Sequence, residues 1–184
     1  DAALAQWLEV LQLSPSATQP GWTDDDVEAA LTLGDELHRA AEVTEFVQLA
    51  CSDLADSDRK ARLLLQLAER AGKSGDYEAQ WALTQQVLAD RGSDAAALDM
   101  RGRALAQWSD APPAAHLAHA QAMVAAAGSA DRGQHLLALA RLQLADLEAG
   151  LDAAATLGQL ADLGSETAAQ AFELAAGSAG SGRS

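Results

Sequence analysis

Three small residues, Gly34, Ala68 and Gly102, stand 34 positions apart in a stretch whose apolar residues recur at helical spacing. Glycine inside a helix is unfavourable unless a neighbour needs the room, so the interval asks for a packing reason. The same step relates Leu31 to Leu65, Leu33 to Leu67, Ala30 to Leu64 to Leu98, and Leu37 to Ala71 to Leu105. Further along each copy it relates Leu49 to Leu83 to Leu117. A constant interval of this length marks stacked two-helix units, because each pair leaves one apolar face bare and the next pair covers it. The interval runs from about Val27 to Gly128 and predicts an all-α chain of antiparallel helix pairs.

Composition supports that reading. Half the chain is hydrophobic (49%) but only 4% is aromatic, so the apolar content is mostly Ala and Leu, the strongest helix formers. No segment alternates β-branched and polar residues as a strand does. Caps and breakers divide the chain into about ten helices, at roughly 2–13, 24–39, 41–56, 58–72, 76–90, 94–109, 113–127, 131–148, 151–163 and 165–176. A proline-containing linker, 14–23, follows the first helix, and the Gly/Ser-rich tail 177–184 has the composition of a disordered segment. Thr23, Ser93 and Ser165 are candidate N-caps, and Gly92, Gly128, Gly164 and Gly177 stand where helices commonly end.

The formal net charge of −15, from 27 acidic and 12 basic residues, repels phosphate backbones and anionic lipid headgroups. Nucleic acid is therefore not an expected partner, and no apolar run approaches the roughly 20 residues that span a bilayer. The four Trp (Trp7, Trp22, Trp81, Trp108) are scattered without interleaved basic residues, which suits helix packing rather than base stacking. Cys51 is the sole cysteine and reads as a small buried hydrophobe. The chain begins at Asp1 rather than Met and is expected to be a piece of a longer bacterial protein, cytoplasmic or periplasmic.

The pattern resembles the tetratricopeptide repeat family over about 100 residues. The match is best at 61–94, where Leu64, Leu67, Ala68 and Ala71 are followed by Gly75-Asp76-Tyr77-Glu78 at the turn and Val87-Leu88 near the end. The 95–128 copy supplies Leu98, Gly102 and Leu105, with Arg101 where the family prefers Leu. The family's second-helix Ala falls on Phe46 and Gln80 in the first two copies and on Ala114 in the third. The resemblance implies a right-handed α-solenoid over 24–176, with repeats at about 27–60, 61–94, 95–128 and 131–163 and a closing helix at 165–176.

Several features imitate chemistry. Gly72-Lys73-Ser74 looks like a phosphate-binding loop, but the glycine required five residues earlier is Leu67 and the preceding segment is helical. Gly72 and Gly75 instead read as left-handed residues ending one helix, with Lys73 complementing its dipole. Asp24-Asp25-Asp26 lacks the spaced oxygens of a calcium loop and suits a helix start. His116 and His119 share a helical face but have no third ligand nearby in sequence, so they read as solvent-facing or groove-lining. No nucleophile elbow occurs, and the expectation is of no enzyme, no metal and no cofactor.

In a helical-pair array the first helices line the inner surface. The resemblance places partner-binding positions at Glu28, Leu31, Asp35, His38 and Arg39, then Arg62, Leu65, Glu69 and Lys73, then Asp99, Arg103 and Gln107. The Lys and Asn clamp by which some family members hold a C-terminal carboxylate is absent, since Leu31, Asp35, Leu65, Glu69 and Asp99 occupy its positions. Arg39, Arg62 and Arg103 beside Leu31 and Leu65 suit a peptide with apolar anchors and some acidic groups. The expected function is a protein-interaction scaffold or adaptor for another protein or peptide. The alternative is a helical sensor that takes a small ligand or dimerises to control an attached domain.

Overall fold

The computed structural model describes residues 5–6, 22–145, 150–164, 169–170 and 173–174. Among them lie eight named helices and no strand: α1 (Asp24–Glu36), α2 (Ala40–Ser52), α3 (Ser57–Ser74), α4 (Tyr77–Asp90), α5 (Ala95–Gln107), α6 (Pro113–Ala126), α7 (Arg132–Ala145) and α8 (Gly150–Asp162). Most of the helices expected at 2–13 and 165–176, positions 14–21 of the linker, the Ser165 cap and the tail 177–184 lie outside the described residues. The span 24–176, expected as one array, falls into two compact units that divide between Asp90 and Arg91, four residues before the expected boundary of the second and third repeats at 94/95.

In the first unit each helix packs on the next, α1 on α2, α2 on α3 and α3 on α4. Helices α1 and α3 are also tied by side chains. Arg59 Nε lies 2.7 Å from Asp24 Oδ1, Gln66 donates to Glu28, and Arg70 holds Asp35 and, at 3.7 Å, Glu28. The partners rise in step along both helices, so α1 and α3 run parallel while α2 returns between them, as consecutive two-helix repeats require. The shared core holds Val27, Ala30 and Leu31 of α1, Val43, Val47 and Cys51 of α2, Leu63, Leu64, Leu67 and Ala68 of α3, and Leu83 and Val87 of α4. Trp22, expected in the linker, is instead buried: the Arg59 guanidinium stacks 4.5 Å from its ring centroid and donates to its carbonyl at 3.0 Å.

Helix ends follow local chemistry. Thr23 caps α1 in a reciprocal box: its N–H donates to Asp26 Oδ2 at 2.7 Å, and Asp26 N–H donates to Thr23 Oγ1 at 3.3 Å. Asp56 caps α3 by accepting from the Asp58 and Arg59 N–H groups, each at 3.0 Å. The cap of α5 is Asp94, which accepts from Ala97 N–H, and not Ser93; its carboxylate reaches a free helical donor that the shorter Ser93 side chain, one residue further out, does not serve.

The Gly72-Lys73-Ser74-Gly75-Asp76 stretch is a helix end. Gly75 adopts φ 81°, Asp76 N–H donates back to Ala71 O at 2.9 Å, and the Asp76 carboxylate accepts from Ala79 N–H to start α4. Gly72 departs from expectation, for it lies inside α3 without a left-handed backbone, and a Cβ there would stand 2.6 Å from the Gln80 amide of α4. The matching turn after α1 puts His38 in the left-handed region (φ 57°), with Arg39 N–H donating to Gly34 O at 2.7 Å. α1 therefore stops at Glu36 rather than at 39, and α3 runs longer, with 18 residues against 13. The 34-residue register holds in the first helices, where Ala30, Leu64 and Leu98 are buried in step and so are Gly34 and Ala68, but not in the second, where Leu49 of α2 is 66% exposed and Leu83 of α4 is buried.

In the second unit α5 packs on α6, α6 on α7 and α7 on α8. Leu136, Ala140 and Leu160 form an apolar centre between α7 and α8, against which Val124 of α6, Leu137 and Leu157 pack. Thr156 and Gln143 are buried polar residues that satisfy each other: the Thr156 hydroxyl donates to Gln143 Oε1 at 2.7 Å.

Gly34 shows why the small residues matter. A Cβ there would stand 2.7 Å from Val43 Cγ2, inside a fully buried contact with α2. Gly34→Ala should lower stability by about 1 kcal/mol, the cost of overpacking against a stiff Val exceeding the gain in helix propensity. Gly158→Ala, where open space surrounds the new methyl group on α8, should raise stability by about 0.5–1 kcal/mol. Urea unfolding followed by circular dichroism checks both; a Gly34→Ala chain as stable as the wild type, or more so, would remove the packing account of Gly34.

Candidate functional site

The first-helix positions expected to bind a partner are spread over different surroundings. Leu31 is no groove residue: it is 2% exposed, because it belongs to the apolar stripe Val27–Ala30–Leu31–Gly34 that α1 turns inward. Glu28 and Asp35 are held by Arg70 of α3. His38 and Arg39 sit in the turn after α1, where Arg39 pairs with Glu42. On α3, Arg62 reaches Asp24 at 3.8 Å, Lys73 pairs with Glu69 at 2.9 Å, and Leu65 is half-buried. On α5, Arg103 pairs with Asp99 at 2.9 Å and Gln107 is exposed.

These pairings alter the electrostatic expectation. Arg39, Arg59, Lys60, Arg62, Arg70, Lys73, Arg91 and Arg103 are all engaged by carboxylates of the same chain. Exposed pairs of this kind add little stability. Their consequence is local neutralisation, since an acidic peptide would have to displace a carboxylate already beside each of these cations.

Two concavities stand out, one within each unit. In the first unit a cavity of about 690 Å³ lies along the Ala40, Ala41, Thr44, Glu45 and Gln48 face of α2, with Asp35, Arg70, Lys73 and Asp76 on its walls. In the second unit a cavity of about 570 Å³ runs between α5, α6 and the start of α7. Its floor is apolar (Leu98, Gly102, Ala106, Met123, Ala126 and Ala127), and Asp99, Arg103, His119, Asp131 and His135 border it. Asp35 and Lys73 from the expected set line the first cavity, and Asp99 and Arg103 line the second; the others line neither.

His119, which borders the second cavity, is held from behind by Arg101 of α5. Arg101 is 4% exposed, its Nε–H donates to His119 Nδ1 at 3.3 Å, and its Nη2 donates to Ala118 O at 3.0 Å. A guanidinium has no acceptor capacity, so Nδ1 of His119 must be the unprotonated nitrogen and Nε2 carries the hydrogen. Burial, then the neighbouring Arg101 charge, then His116 and His135, push the His119 titration down to about 4. His119 is thus a neutral donor near pH 7. Nε2 lies over Gly102, where a Cβ would stand 3.2 Å from it, and both residues line the cavity.

Sequence reasoning singled out His119 for its spacing from His116, yet its orientation depends on Arg101, 18 residues earlier. Met123 and Ala126 carried no signal beyond helical apolarity. Cys51 is fully buried on α2, and burial raises its thiol to about 12, which leaves it unionised and unreactive near neutrality. Among the described residues no three His, Cys, Asp or Glu side chains are gathered to hold a metal ion, and no helix is long and apolar enough to cross a membrane.

His119 gives a pH signature. Its folded-state value lies below the ordinary 6.5, so the unfolded chain takes up the proton more readily. The stabilisation is complete above about pH 6.5 and is lost as pH falls toward 4. The carboxyls of Asp26 and Asp56, held below the ordinary 3.8 by N–H donors, act only at lower pH. Between pH 7 and 4.5 the Tm should fall by roughly 2–4 °C once solvent screening is allowed for. His119→Gln should flatten that part of the profile; an unchanged slope would show that His119 does not titrate as described.

Compared with family models, with curated proteins and with solved structures, the chain has no match.

Proposed function

We propose that this chain is a protein-interaction scaffold built of tetratricopeptide-like helix pairs, with the right-handed winding of that family, and that it binds a polypeptide segment in the α5–α6–α7 cavity. The observation that carries the reading is that cavity: an apolar floor of Leu98, Met123, Ala126 and Ala127, bordered by charged and hydrogen-bonding side chains, between a first helix, its second helix and the next first helix. Such a site buries an apolar anchor while the rim sets the orientation of the chain that carries it. The parallel, side-chain-tied α1 and α3 supply the repeat logic in the first unit. The volume of about 570 Å³ also falls within the range of small-molecule pockets, which favours a ligand sensor as the second reading.

A displayed library of random dodecamer peptides, panned against the full chain, tests this directly. Ala106 is exposed and lines the cavity, so Ala106→Trp should fill it without disturbing the core. Peptides enriched on the wild-type chain should lose at least tenfold in affinity on Ala106→Trp, read by fluorescence anisotropy, with the circular dichroism spectrum unchanged. Enrichment that is indifferent to Ala106→Trp would remove the cavity from the account. No enrichment, together with a small metabolite that raises Tm on the wild type alone, would select the sensor reading.

A further inference from the structure

The scaffold reading leaves open what kind of segment the cavity prefers, and two independent observations bear on it. The first is charge. The chain carries a formal net charge of −15, and at least eight of its twelve Lys and Arg side chains are bound to its own carboxylates. At the cavity rim Arg103 is neutralised by Asp99, while the carboxylate of Asp131 has no cationic partner among the described residues. The rim therefore attracts cations and offers an anion no unpaired partner.

The second observation is the fixed polarity of His119. Most histidines can present either a donor or an acceptor by exchanging tautomers. Here Arg101 occupies Nδ1, so Nε2, which lies over Gly102 in the cavity lining, is a donor only. A group that meets it must be an acceptor, and in an extended polypeptide the acceptor present at every position is a backbone carbonyl.

We propose that the α5–α6–α7 cavity selects a basic polypeptide segment, burying one of its apolar side chains against Leu98 and Met123 while His119 Nε2–H donates to a neighbouring backbone carbonyl and Asp131 faces a Lys or Arg. This rests on the polypeptide-binding reading above and adds its chemical class and its specificity-determining residue. His119 sets where along the segment the anchor falls, because the hydrogen bond forms only when a carbonyl comes opposite Nε2. Asp131 sets the sign of the flanking charge.

The same dodecamer selection supplies the probes. Enriched peptides should combine one aliphatic residue with Lys or Arg, and the affinity of individual synthetic peptides should fall as NaCl is raised. Asp131→Asn should weaken binding about two- to fivefold, the range of an exposed ion pair. His119→Leu should weaken it about tenfold, as loss of one hydrogen bond does, whereas His119→Gln, which keeps an N–H donor, should retain most of it. Should His119→Leu unfold because Arg101 loses its acceptor, imidazole nitrogen NMR on the wild type reads the same point: adding peptide should shift the Nε2–H resonance while Nδ1 stays unprotonated. Acidic or uncharged enriched peptides, or an Nε2–H resonance that does not move on saturation, would overturn this proposal and leave the polypeptide-binding reading standing. Failure of every peptide to bind above the Ala106→Trp background would end both.

Discussion

A pair of helices rich in Ala and Leu closes only where one helix offers no side chain at the crossing. Gly34 against Val43 and Gly102 against His119 are two places where that condition is met. At the first the missing methyl lets α2 settle onto α1 and the buried apolar faces meet. At the second it admits the imidazole of α6 over α5, in the lining of the cavity. One sequence device thus has two outcomes, a closed core contact and a lined cavity, and the difference lies in what the opposing helix carries.

The architecture was largely legible because it rests on strong local signals. Apolar spacing, caps and turn glycines placed all eight named helices to within four residues at either end, several boundaries being marked by a capping or helix-breaking residue such as Thr23, Gly75 and Pro113. What was misjudged involved competition between neighbours. Ser93 lost the cap to Asp94, whose carboxylate reaches Ala97 N–H. Gly72 proved to be a space-making residue beneath Gln80, and His38, with no glycine to mark it, took the left-handed turn. Such outcomes depend on which atoms lie opposite, and spacing along one chain does not hold that information.

The site was less legible for the same reason. The expected repeat register named first-helix positions, but Leu31 faces the core and most of the charged positions are spent on ion pairs within the chain. Arg101 was visible only as a departure from pattern. Its meaning emerges from burial: a guanidinium 4% exposed needs acceptors, and it finds them in Ala118 O and His119 Nδ1. A buried charged residue thus says more about its neighbours than an apolar one does, because it fixes which acceptors must lie beside it.

Cys51 gives the first unit a built-in gauge. Its thiol lies fully buried on α2, with an ionisation pushed to about 12, so alkylating reagents meet almost no thiolate while α2 is seated. Once α2 lifts away, the thiol recovers ordinary acidity and reacts. The rate at which a maleimide labels this chain therefore counts how often the helix between α1 and α3 comes loose, without any change to the sequence.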